Sequence, residues 1–387
     1  MSKSHPSRPP LAFSPASKLA TRLVFFATGF GMGTWAPIVP IVKERLGLGE
    51  GLLGALLLAV GLGSIFAMPI ATIVAQRLGC RSVLPFTVAL IAVTLPGFAL
   101  APNITTLVPV LVAFGAAVGS ADCVVNMQAI QVEAASQRKL MSGFHGLFSL
   151  GALVGAAGVA LLLSVGFGPA HALAAASALV LLLLAISYPG LLPKVAGATE
   201  QMQFALPGLA VLSFAILSFV AALLEGAMLD WSAVFLQFRH NIAIEASAIG
   251  YTVFALAMTT GRFTGDAVRA RCSTQTVVIG GCLISAVGVT LVMASPWEFL
   301  TVAGFALVGI GLANLFPALV AEVGERPQEG GSSSVAAVLT AGYGGILAGP
   351  ALIGFVAHLS NLVVAFLMLA VALLAAASVG WRALARQ

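Results

Sequence analysis

Residues 51–75, 81–101, 171–193 and 361–381 each run almost without charge for about 20 residues or more, the length a helix needs to cross a hydrocarbon core of ~30 Å. Such runs leave a chain few choices. In lipid, every backbone N–H and C=O must find its partner within a helix or around a closed barrel. Segments of alternating polarity, the mark of a membrane barrel, are absent. The composition agrees: 60% of residues are hydrophobic and 8% charged, where a soluble domain has roughly 25% charged. The sequence therefore predicts an all-α membrane protein.

Turn signals and charges divide the chain into about twelve spans. They lie near 19–42, 51–75, 81–101, 105–131, 139–164, 168–190, 207–236, 245–268, 274–294, 298–320, 332–356 and 361–384. Residues 1–18, with Lys3, Arg8 and Lys18 among prolines and serines, read as a cytoplasmic tail. The apolar run after them is too long for a signal-peptide core. An even number of spans puts both termini on one face. On that face fall all 18 Lys and Arg residues except Lys43, Arg45 and Arg239, so both termini are expected to be cytoplasmic in a cell inner membrane. The net charge of +5 thus reports topology, and the basic residues form no nucleic-acid footprint.

A shift of 196 residues carries Trp35 onto Trp231, Lys43 onto Arg239 and Gly54 onto Gly250, and a short gap then aligns "QRLGCRS" with "VRARCST". The expectation is two six-helix bundles, 19–190 and 207–387, joined by a cytoplasmic loop at 191–206. Parallel repeats of this kind place a site between the halves, near the midplane.

An ionisable side chain inside a span costs roughly 2.5–3.5 kcal/mol on insertion scales, so it marks a partner, a water-filled cavity or a helix end. In "ADCVVNMQAIQVE", 121–133, Asn126 lies about 40° around a helix from Asp122 and Glu133 about 20° from it, giving one polar stripe, with Gln128 and Gln131 on the other side. Glu133 falls at the cytoplasmic end beside Arg138 and Lys139 and reads as an interfacial charge. Asp122 is about 16 Å deeper and fits either a coupling or substrate role or a hydrogen bond to Asn126. His145 and Ser149 reach comparable depth, where the imidazole suits a proton carrier or a neutral link between helices. Gly146, Gly151, Gly155 and Gly158 suit close helix packing.

In span seven Glu225 is deep and suits a cavity, Asp230 approaches the outer end and suits a solvated helix end, and Gly226 offers a helix break. Trp35 and Trp231 fit the aromatic interface belt, or an outer gate or stacking platform across the pseudo-axis. Tyr251, Asn314 and Tyr343 are polar groups able to hydrogen-bond a neutral substrate. Cys80, Cys123, Cys272 and Cys282 have neither disulfide nor metal spacing. "GFGMG" at 29–33 lies inside a span, and no GxxxxGK[ST] occurs, so nucleotide chemistry and cofactors are not expected.

These residues resemble the major facilitator superfamily. "AQRLGCR" after span two is similar to its cytoplasmic signature, with Gln76 where an acid is expected, and "GRFTGDAVRAR" after span eight is a fuller copy. The resemblance implies that Arg77, Arg81, Arg262, Asp266 and Arg269 help to close the cytoplasmic gate. "VNMQAIQVEAASQRKLMSGFHGLFSLGALVGA", "EGAMLDWSAVFL", "GLANLFPAL" and "AGYGGILAGPALIGF" resemble a MosC-like subgroup, loosely related to fucose-permease-type carriers. The likeness implies a monomeric secondary transporter working by alternating access, and the membrane carboxylates favour protons as the coupling ion. From the resemblance alone, the cargo is a small polar solute of the sugar, polyol or amino-inositol type. Rival readings are a drug or metabolite exporter of the same fold and a non-transporting sensor. An enzyme would need a nucleophile, base or metal constellation that the sequence does not assemble.

Overall fold

The computed structural model describes residues 14–136, 140–193, 209–324 and 332–384. Residues 1–13, Arg138 and Lys139, most of the 191–206 linker, Glu325 and Glu329 lie outside these residues, as does the side chain of Asp266, whereas Pro15–Lys18, expected in the tail, already belong to the first helix. The described residues form helices α1 (Pro15–Gly33), α2 (Val39–Arg45), α3 (Glu50–Leu78), α4 (Cys80–Leu100), α5 (Ile104–Ser136), α6 (Met141–Ser164) and α7 (Pro169–Ser187), followed by α8 (Leu209–His240), α9 (Ile244–Ser247), α10 (Ile249–Arg269), α11 (Thr274–Ala294), α12 (Glu298–Leu312), α13 (Leu315–Gly324), α14 (Ser332–Leu359) and α15 (Leu362–Leu384). Together they make the twelve-span, two-bundle fold that the resemblance implies, with α1–α2, α9–α10 and α12–α13 each forming one span. Ten helical segments are long and apolar enough to cross a membrane by length and composition. The other two spans are more polar: α1 opens with Lys18 and Arg22, and α10 carries Arg262, Asp266 and Arg269.

Local chemistry sets the helix ends. Ser14 caps α1, accepting from Ala16 N, with Pro15 in the first turn, where its missing N–H is not needed. Gly79, at φ 87°, makes the sharp junction between α3 and α4, a conformation costly for any residue with a Cβ.

The sequence reading of span one as continuous over 19–42 is corrected. The helix stops at Gly33 and resumes at Val39. Pro37 lacks an amide hydrogen and its ring would strike the Gly33 carbonyl, which favours a break in the α ladder here. Span ten breaks likewise at Ala313–Asn314, where Ala313 stands four residues ahead of Pro317, on the same steric ground. The break expected at Gly226 does not occur, because α8 is continuous. A Cβ at Gly226 would instead lie 3.1 Å from the Ile346 carbonyl oxygen of α14, so the residue serves close approach.

Within the first half, α1 and α6 pack backbone to backbone. A Cβ at Gly29 would lie 2.0 Å from Phe148 O, and one at Gly151 2.2 Å from Phe26 O; Gly33 and Gly155 repeat the pattern one turn on. The phrase "GFGMG" is therefore half of a helix seam. Gly158, expected to pack, has nothing within 4 Å of its Cβ position. The halves meet chiefly along α3 with α14 and α6 with α10, with a smaller contact of α2 on α8. One face of the molecule, the terminal face, carries the start of α1 and the end of α15. The opposite face carries α2 and the end of α8.

Candidate functional site

Polar side chains from both halves meet in the space between the bundles. On α5, Asn126 Nδ2 donates to Asp122 Oδ1 at 3.2 Å and to Asp122 O at 2.9 Å, as four-residue spacing on a helix allows. The other carboxylate oxygen, Asp122 Oδ2, accepts from Tyr343 OH on α14 at 2.5 Å. Tyr343 is 40% exposed, so this bond between the halves borders open space.

The second cross-half contact is made by Arg262 on α10. One guanidinium nitrogen donates to Ser149 Oγ on α6 at 2.5 Å, and another faces both oxygens of Glu225 on α8 at 3.3 and 3.5 Å. Arg262, expected at the cytoplasmic gate, thus stands in a contact between the halves. It lies seven residues before the end of its helix, about 10 Å at 1.5 Å per residue, among groups expected of a cavity. Tyr251 is buried within the electrostatic field of Glu225, Arg262 and Asp230. His145 is exposed, lies in the field of Arg262, and sets its ring edge-on to Phe25 at 5.2 Å.

Trp35 and Trp231 are not an interface belt. They are 4% and 0% exposed, far too buried for residues that should sit among lipid headgroups. Lifted by the break after α1, Trp35 Nε1 donates to Asp230 Oδ1 across the halves at 3.0 Å. Asp230, 7% exposed, is thus a buried partner and not a solvated helix end. The repeat puts Thr34 where the second half has Asp230, and the reciprocal bond is missing: Thr34 Oγ1 donates to Gly31 O, while Trp231 Nε1 is buried with no hydrogen-bond partner. Among the described residues, one bond of this kind joins the halves where symmetry would allow two. Trp35→Phe removes the donor and leaves a buried acceptor unpaired, at a cost of about 1–3 kcal/mol. Spin labels at Glu44 and Asn241, both exposed on the opposite face, are expected to show longer distances in that variant; an unchanged distribution would make the contact incidental to closure.

The remaining candidates are structural in their contacts. Asn314 Nδ2 donates to Gly261 O at 3.0 Å, and its side chain fills the space over Gly265, so its amide braces the helix break against α10. Arg81 stacks on Tyr188 with its guanidinium carbon 4.6 Å from the ring centre, within its own half, and Arg77 is exposed. Arg269 ends α10. Glu133 Oε2 accepts from the backbone N–H groups of Leu140 and Met141 at 2.5 and 2.7 Å, supplying the start of α6 with the acceptor that helix ends lack.

Sequence reasoning sets Gln128 aside, yet it is the buried brace of the first half. Its amide donates to Thr21 Oγ1 on α1 at 3.0 Å and accepts from Leu192 N at 3.1 Å. Its position opposite the Asp122 stripe is the signal that could have found it. Among the described residues no group of His, Cys, Asp and Glu could hold a metal ion.

The chain is similar to known proteins in sequence and fold. The family model described as Major Facilitator Superfamily matches residues 23–271. An uncharacterized MFS-type transporter of Yersinia pestis is 42% identical over 363 residues, covering 94% of each chain. Membrane protein MosC of Rhizobium meliloti is 31% identical over 359 residues, covering 89% of this chain and 85% of its own. Among solved structures, the nucleoside transporter NupG superposes with a TM-score of 0.76 at 16% identity, over 95% of this chain and 99% of its own. A bacterial homolog of the human lysosomal transporter Spinster gives 0.68 at 15%, over 97% of each. At these identities the structural likeness carries the fold alone.

Proposed function

The chain belongs to the major facilitator superfamily and is a multi-pass membrane transporter, and from that premise we propose that it moves a small polar organic solute by alternating access, coupled to protons. Sugars, polyols and amino-inositols are the first candidates for the cargo. The observation that carries this reading is the carboxyl of Asp122, held between Asn126 of its own helix and the Tyr343 hydroxyl of the other half. An acid at this depth is costly without a hydrogen-bond partner or water. Because Tyr343 belongs to the opposite bundle, a rearrangement that separates α5 from α14 removes its hydroxyl from the carboxylate. A proton taken from the newly facing compartment then replaces that hydroxyl as the hydrogen on Asp122. Loading and unloading the acid thereby follow the motion of the halves.

The Trp35–Asp230 latch supports the other half of the cycle, since it must open for the opposite face to admit solute. We assign the terminal face to the cytoplasm of a cell inner membrane, on the positive-residue bias, and the working unit to a monomer. Reporter fusions after Gln387 and in the 191–206 linker are expected to give cytoplasmic signals; a periplasmic signal at either position overturns the orientation. The substrate test is a thermal-shift screen of the purified protein, because a ligand that binds only the folded form raises the melting temperature. Uptake into proteoliposomes, with and without an imposed pH gradient, is then measured for each stabilising solute. Uptake that ignores the gradient removes the proton from the mechanism.

A further inference from the structure

We propose that the cargo carries a carboxylate, which Arg262 binds in place of Glu225, and that the displaced Glu225 takes up a proton besides the one on Asp122, so that one anion and two protons cross together. The inference rests on the transport reading above and narrows its cargo.

The geometry of the ion pair carries it. A well-formed arginine–carboxylate pair is a fork on a fork, with two nitrogens facing two oxygens. Here both Glu225 oxygens lie on one nitrogen, at 3.3 and 3.5 Å, so the bidentate edge of the guanidinium is not engaged by Glu225. The pair is also wet, with side chains 20% and 33% accessible. A brace in the membrane interior stabilises only with excellent geometry and satisfied partners, which this pair lacks. Arg262 also spans the halves through Ser149, so whatever takes the place of Glu225 acts where the bundles must move.

The surrounding acids leave Arg262 available. Asp122 has Tyr343 and Asn126 as donors, and Asp230 has Trp35. The titratable groups facing the pair are Tyr251 on its own helix α10, His145 on α6 and Asp230 on α8. None is a second cation fixed against Glu225.

The exchange balances. The incoming carboxylate accepts two N–H bonds from Arg262, and Glu225 loses its cation. Left as an unpaired anion in the membrane interior, Glu225 is costly and binds a proton from water on the facing side. No covalent bond other than this O–H forms or breaks, and the anion and this proton together carry no net charge. When the cargo leaves, the proton leaves and the Arg262–Glu225 pair re-forms.

The probes are gluconate and glycerate, each set beside its neutral counterpart, glucitol or glycerol. The expected result is a higher melting temperature with the two acids and not with the polyols, and an alkalinisation outside proteoliposomes when acid is added. Glu225→Gln removes the competing anion, so acid binding should tighten about tenfold, as when a competing state is taken away, while proton uptake per acid falls by half to the share carried by Asp122. Arg262→Gln alone could fail to fold around an unpaired Glu225; the Arg262→Gln/Glu225→Gln double variant removes both charges and should fold yet lose the acid response. Stabilisation by the polyols and not the acids overturns the carboxylate assignment and leaves the polar-solute reading standing. Silence from all four probes overturns both. Weaker acid binding in Glu225→Gln shows the pair to be a structural brace and overturns the exchange.

Discussion

Replacing Asp122 with asparagine is expected to remove one of the two proton sites and lower accumulation against a gradient several-fold, while leaving folded protein in the membrane. Asparagine keeps the size of the side chain and still accepts from Tyr343 through its amide oxygen, so the contact between α5 and α14 loses little. What it cannot do is take and release a proton. Exchange of solute down its own gradient therefore persists, and an imposed pH gradient keeps only the effect carried by Glu225. Uptake in proteoliposomes with and without a pH step measures this. Full gradient-driven accumulation by the asparagine variant would reduce the stripe to a brace between helices. Glu133→Gln serves as the contrast: Glu133 accepts from the first N–H groups of α6, and glutamine retains an acceptor there, so coupling should be unchanged.

Gly151→Leu should yield no stably folded protein, the largest structural effect expected of a single change here. The Cβ alone would fall 2.2 Å from the Phe26 carbonyl oxygen, a fixed backbone atom, and the neighbouring Gly155 blocks relief along the same seam. Even Gly151→Ala must part α1 from α6, with an overpacking cost of about 1–3 kcal/mol and loss of the close packing that holds helices together in lipid. Gly158→Ala is the matched control, because nothing lies within 4 Å of its Cβ position. Size-exclusion profiles and melting curves in detergent measure all three. Equal stability of Gly151→Leu and Gly158→Ala would mean that α1 and α6 do not meet as described.

The long apolar runs, the twelve spans and the Asp122–Asn126 stripe are legible in the sequence because each depends on neighbours along the chain. Length sets whether a helix can cross lipid, and the 100° step sets which side chains share a face. The seam at Gly151 and Gly155 is legible on the same ground, although the equal claim of Gly158 is not separable from theirs, since all lie on one helix and only the facing surface differs. The breaks after Gly33 and Leu312 stand four residues ahead of Pro37 and Pro317, which lack the amide hydrogen a helix needs, but Pro69, Pro96 and Pro350 lie inside continuous helices, so proline permits a break and tertiary packing decides where one forms.

The partners of the polar groups are not legible. Tyr343 is 221 residues from Asp122, Asp230 is 195 from Trp35, and Ser149 is 113 from Arg262. Periodicity names the face a residue occupies but not the helix that will face it. Counting along α8 places Asp230 near water, yet it is buried because the broken end of span one folds over it. The motif places Arg262 at a gate, yet it lies deeper, where α8 and α6 bring it Glu225 and Ser149. That the chain crosses a membrane in many helices, and which faces of those helices are polar, is settled by local length and period. Which of those polar groups are joined across the two halves is settled by packing alone, because burial and pairing belong to whatever distant segment lies against them.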